Sequence, residues 1–175
     1  MSFIERWLFR APTPDVLLQE SPAPLPAVAL HWDTVLGTLN GIPFGAPVTA
    51  LAPLGPCPHF SRHADGTLCY EYPHLGLVLD FTNDRLEFIT FVMSEEAFPP
   101  LEKVTAYASP VIHPADVVLD SIMEADVLSE LLGPFELMDK DDDEITGIFR
   151  TGDLCHEATF VEGARMTRLV VYREE

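Results

Sequence analysis

Apolar and polar residues alternate along much of this chain, and turn-forming residues interrupt the alternation at short intervals. Leu68, Tyr70 and Tyr72 alternate with Thr67, Cys69 and Glu71; Leu77, Leu79 and Phe81 alternate with Val78 and Asp80. A period of two sends successive side chains to opposite faces of a strand. Ala64-Asp65-Gly66, His74-Leu75-Gly76 and Asn83-Asp84 separate the runs and supply the residues that tight turns require. The pattern predicts an antiparallel meander with strands near 59–63, 67–72, 77–81 and 85–93. Residues 28–39 read as a lead strand or two, with Asn40-Gly41 as a tight turn.

Two stretches read as helices instead. Met123, Val127, Leu128, Leu131 and Leu132 recur at three- and four-residue spacing, and Gly133-Pro134 stops them. Residues 46–54 read as a shorter helix, in which Pro47 suits the first turn and Pro53 only an end. The stops superimpose: Leu54-Gly55-Pro56 falls on Leu132-Gly133-Pro134, and Leu79-Asp80-Phe81 falls on Ala158-Thr159-Phe160. Further strands are predicted near 135–138, 145–150, 155–160 and 165–173. The expected fold class is therefore α+β, two tandem repeats, each a short helix packed on an antiparallel β-meander. The expected parts are a tail and Pro-rich linker (1–27), a first repeat (28–93), a connector (94–116) and a second repeat (117–175). Pro99, Pro100, Pro110 and Pro114 argue against a long helix or a central strand in the connector.

Charge changes the picture of function more than of fold. The net charge is −18, and it is uneven. Residues 1–93 carry 9 acids and 4 bases, whereas residues 94–175 carry 19 acids and 6 bases. Such a field disfavours nucleic acid and anionic lipid and attracts a basic partner. The acidic loop Asp139, Lys140, Asp141, Asp142, Asp143 and Glu144 lies between two predicted strands. It lacks the glycine and terminal glutamate of a calcium loop, so a solvated loop comes first, a recognition loop for a basic partner second and an ion site last among the open readings.

The candidate chemistry is sparse. Cys57, His59, His63, Cys69 and His74 lie within 18 residues but without zinc-ligand spacing, so no metal and no cofactor are expected. No nucleophile elbow and no phosphate-cradling glycine loop occurs, and no enzymatic activity is expected. Three cysteines, the absence of a signal-peptide pattern and the absence of a long apolar run point to a cytoplasmic protein with reduced thiols and no membrane span. If Leu77, Leu79 and Phe81 pack under the helix, Asp80 faces away, and Glu71, Glu157 and Tyr172 share that outer face. Two adjoining sheets would then present a broad, partly acidic platform, unless residues 94–116 cover it.

The Leu54-Gly55-Pro56 stop, followed by Tyr70-Glu71-Tyr72, Gly76-Leu77 and Phe81, resembles the tandem-repeat architecture of the β-lactamase inhibitor protein and related small bacterial lipoproteins. The layout also looks like cytoplasmic bacterial immunity proteins of polymorphic toxin systems. The resemblance implies a non-enzymatic protein-binding protein that neutralises a toxin by occlusion. The expected partner is a basic protein, a toxin domain, met by Glu71, Asp80, Asp139, Asp141, Asp142, Asp143, Glu144, Glu157 and Tyr172. An adaptor or secretion-chaperone module, or a small enzyme, is the alternative.

Overall fold

The structure is a computed structural model that describes residues 28–94, 104–141, 143–161 and 165–174. The tail, the Glu162-Gly163 turn and Asp142 lie outside the described residues. Strands dominate: among the described residues 50% are strand and 11% helical. The expected α+β class of two helix-plus-meander repeats is thus overturned, and the protein is mostly β.

The reason lies in the weakness of the helices. The first is a 3₁₀ helix, Val48–Leu54, with Pro53 inside it. Pro53 brings no N–H to a helical ladder, and Gly55 closes the end by donating to Ala52, three residues back. The second, α1 (Ala125–Leu132), is a true α-helix, with Leu128 donating to Glu124 and Gly133 to Ser129. It is only two turns long, too short to stand without packing.

Eight strands form one antiparallel sheet. Its first half is the meander β4 (His59–Arg62), β5 (Leu68–Tyr72), β6 (Leu77–Thr82) and β7 (Arg85–Val92). Its second half is the meander β10 (Phe135–Lys140), β11 (Glu144–Thr151), β12 (Leu154–Val161) and β13 (Arg165–Arg173). The halves join through their last strands, β13 on β7, with Val170 opposite Thr90. That junction makes one continuous sheet, and leaves β4 and β10 as its two edges.

A second, five-stranded sheet caps the first. It consists of β1 (His31–Asp33), β2 (Thr38–Leu39), β3 (Ile42–Pro43), β8 (Val111–His113) and β9 (Val117–Val118). All its pairs are antiparallel except β1 with β8. β8 is paired on both sides, so the connector does carry a central strand, contrary to expectation. Pro110 and Pro114 bracket the three residues rather than interrupt them, and a proline outside a ladder removes none of its hydrogen bonds.

The core lies between the large sheet, the small sheet and the two helices. Trp32, Leu39, Leu54, Phe81, Phe91, Leu132 and Phe149 are all buried in one apolar cluster. Burying a leucine such as Leu54 or Leu132 is worth about 1.5–3 kcal/mol relative to leaving it in water. Trp32 ties the layers together: its indole N–H donates to Nε2 of His156 on β12 at 3.1 Å.

Candidate functional site

The predicted outer platform is not open. Asp80 and Glu157 do lie on the face opposite the main core, yet each is only 1% exposed. Register explains the pairing: Asp80 stands beside Cys69 and Phe88, and Glu157 beside Ile148 and Val170. Val104, from the connector, packs against Cys69, Val78 and Val92 on this face. The expectation that Asp80 and Glu157 are surface carboxylates is therefore corrected. Glu71 and Tyr172 are half-buried. Burial pushes the Tyr172 hydroxyl up to about 12, with the nearby Glu157 adding to the effect. Burial pulls the Arg168 guanidinium down, while Glu157 and Glu144 oppose that pull. Arg168 also donates to the Thr159 hydroxyl at 3.2 Å. This face is a partly charged interior rather than a contact surface.

The acidic loop is placed differently. Asp139, Asp141, Asp143 and Glu144 are all exposed. Asp141 N–H donates to the Glu144 carbonyl at 2.9 Å, which closes the β10–β11 hairpin. Beside them, all six residues of β10 are exposed, although Phe135, Leu137 and Met138 are large and apolar. The cause is topological, since among the described residues β10 is an edge strand with a neighbour, β11, on one side only. A register shift falls between Leu137 and Asp139, so Met138 is an extra residue. That shift keeps Glu136 and Asp139 on one face of the sheet, opposite Ile148 and Thr146, although they stand three positions apart in sequence. Phe135 and Leu137 occupy the other face, opposite Phe149 and Gly147. The Phe135 ring lies against Gly147, in the space a side chain there would fill, with its centroid 5.1 Å from Phe149.

Sequence reasoning placed the loop and a strand near 135–138 beside it, but not the exposure of that strand, because edge position is a property of the whole sheet. It also missed a surface cluster on the small sheet. His113 Nδ1 lies 2.5 Å from Asp116, and His113 Nε2 lies 3.0 Å from Nδ1 of His31, with the imidazoles stacked. These groups border two shallow depressions of about 410 and 440 Å³, of which His113 lines both. No sequence signal could bring His31 and His113 together, because they meet only through the parallel β1–β8 pairing.

Other candidate ligands disperse. Cys57 Sγ donates to the backbone carbonyl of His59 at 2.9 Å, and burial pushes its thiol up to about 11. Burial also raises Cys155, although Arg150 alongside opposes the rise. Neither thiol is activated as a nucleophile or ligand. Among the described residues no three His, Cys, Asp or Glu side chains are grouped to hold a metal ion. Among the described residues no helix is long and apolar enough to cross a membrane.

The fold and this surface together define, among the described residues, a mostly-β acidic protein with an exposed, apolar and acidic sheet edge. The chain matches no known protein family, no characterised protein and no solved structure.

Proposed function

We propose that the protein is a non-enzymatic binding protein whose partner is a basic protein surface, held at the β10 edge and the acidic turn beyond it. The observation that carries this reading is the exposure of every residue of β10, apolar Phe135, Leu137 and Met138 included, next to exposed Asp139, Asp141, Asp143 and Glu144. Exposed apolar side chains supply contact area, and the surrounding carboxylates select and steer a cationic partner. The net charge of −18 extends that field over the molecule. Neutralising a toxin by occlusion, as the sequence resemblance implies, is the physiological form of the same reading.

The test is comparative affinity capture. The wild-type chain is set against a variant carrying Asp139→Asn, Asp141→Asn, Asp143→Asn and Glu144→Gln. Proteins retained by the wild type should be basic, should elute with salt, and should be depleted on the variant. When the captured protein is toxic to cells, co-expression of the wild type should restore growth better than the variant does. Identical retention by both chains would sink the reading.

A further inference from the structure

We infer that the partner engages β10 by main-chain pairing, as a ninth strand on the eight-stranded sheet, and that its paired segment alternates apolar residues with lysine or arginine. This rests on the binding reading above and adds the mode of contact and the chemistry of the partner.

An edge strand offers one row of backbone N–H and C=O groups with no neighbour in the sheet. Both ends of the large sheet have such a row, but the two edges differ. On β4, His59, Phe60 and Ser61 are half-buried, and Phe60 stacks on Tyr70. On β10 the Phe135 ring rests on Gly147 and Phe149, but beyond it Leu137 is 55% and Met138 47% exposed. β10 also contains no proline to block pairing.

The side chains of β10 define what a ninth strand must carry. Phe135 and Leu137 lie on one face, and Glu136 and Asp139 on the other. Glu144, at the start of β11, shares the acidic face, because it lies two and four residues from Thr146 and Ile148. Arg150 is on that face too, 3.5 Å from Glu136, but it is also engaged by Glu174. The local balance on this face stays acidic. Cross-strand neighbours interact in pairs, and opposite charges stabilise while like charges repel. A complementary strand therefore sets apolar residues beside Phe135 and Leu137 and basic residues beside Glu136 and Asp139. Alternation follows directly, since successive strand residues point to opposite faces.

The same charges argue against a second copy of this chain as the occupant. Antiparallel self-pairing of β10 about Leu137 and Met138 would set Glu136 against Asp139 of the other copy. Each copy also brings a net charge of −18. Acidic groups on an open edge thus guard it against self-association while leaving it receptive to cations.

The experiment uses the full chain and ten-residue peptides of alternating valine and lysine. Three forms are compared: unmodified, N-methylated at every second amide, and N-methylated at every amide. All carry the same charge and the same apolar side chains. The first two keep at least one pairing edge, whereas the third has none. Binding at low salt should be similar for the first two and weaker by about ten-fold or more for the third. Backbone amides within Phe135–Lys140 should gain protection from hydrogen exchange. Leu137→Lys should weaken binding of the unmodified peptide, and Val118→Lys, on the small sheet, should not. A valine–glutamate peptide should not bind.

Equal binding of all three valine–lysine forms would overturn strand addition and leave the acidic-surface reading standing. Protection that falls elsewhere, or no binding of the unmodified peptide, would overturn it as well. So would a stable dimer of the peptide-free chain with its β10 amides protected, since the occupant would then be a second copy.

Discussion

Trp32 and His156 are joined by a hydrogen bond between two otherwise apolar layers. The indole N–H donates to Nε2 at 3.1 Å, and the rings meet edge-on with centroids 5.9 Å apart. Both residues are fully buried, one on β1 of the small sheet and one on β12 of the large sheet. Indole nitrogen can only donate, so Nε2 must be the unprotonated nitrogen of a neutral imidazole. Trp32→Phe keeps most of the ring and removes the donor. It should cost about 1–3 kcal/mol, the penalty of leaving a buried acceptor without its partner. Urea unfolding measures it, and an unchanged midpoint would show that the bond contributes nothing to holding the layers together.

The same pair makes stability depend on pH. Burial pushes His156 down to about 4, against a smaller upward effect of the Phe149 backbone. In the unfolded chain an imidazole titrates near 6.5. Between those values the unfolded chain holds a proton that the folded chain does not, so stability rises with pH across this window. The contribution is fully present above about 6.5 and is lost as pH falls toward 4; over the whole window it amounts to roughly 3 kcal/mol. Carboxylates of an unfolded chain also titrate near the lower end of this window, so a difference measurement is needed. The stability of wild type minus that of His156→Gln should fall as pH is lowered from about 6.5 to 5, and should be flat above about 7. Parallel curves throughout would refute the assignment.

Backbone conformation gives a third, independent check. Gly133 has φ +95°, and a Cβ there would overlap the carbonyl of Arg150 on β11. Gly41 has φ +79° with open space around it. Gly41→Ala should cost about 1–2 kcal/mol, from the strain of a left-handed residue alone. Gly133→Ala carries the same strain and must also push α1 away from β11, so its thermal midpoint should drop clearly further. Thr151 fixes that approach by donating to the Leu132 carbonyl at 2.7 Å. Equal losses at the two sites would mean that the close approach yields cheaply.

The local pattern and the global assembly differ in how far the sequence discloses them. Strands read from alternation fall close to β5, β6, β7 and β13, because a turn such as Asp65-Gly66 or Asn83-Asp84 is a local event between local runs. Asn83 and Asp84 indeed both have positive φ. The helix ending at Leu132 was equally readable from its apolar spacing and its glycine stop. The α+β class failed because the matching Leu-Gly-Pro stops made residues 46–54 the counterpart of the 123–132 helix, whereas Pro53 leaves only a 3₁₀ segment. The small sheet was hidden because β1 and β8 meet across some eighty residues of chain, and no local pattern encodes that pairing. Asp80 and Glu157 were misplaced for a related reason. Strand parity puts them on the second face correctly, but whether a face is covered depends on what else packs there. The acidic turn was legible as a loop, and its neighbour β10 was not legible as an exposed edge.

Asp139, Asp141, Asp143 and Glu144 are exposed, so neutralising all four should change folding stability by no more than about 0.5 kcal/mol per site. Their effect should fall on association, because exposed charges act on the encounter before contacts form. At low ionic strength the captured partner should bind the neutralised variant about ten-fold more slowly, within the range that electrostatic steering spans. Near 1 M salt, where screening acts within about 3 Å, the two on-rates should converge. Dissociation should respond instead to the apolar side of the edge. Phe135→Ala and Leu137→Ala remove contact area without altering charge, so they should speed release and leave the low-salt on-rate nearly unchanged. Stopped-flow association and dissociation at several salt concentrations separate the two effects. On-rates that are equal for wild type and neutralised variant at low salt would remove the acidic turn from the binding mechanism, even with the β10 contact intact.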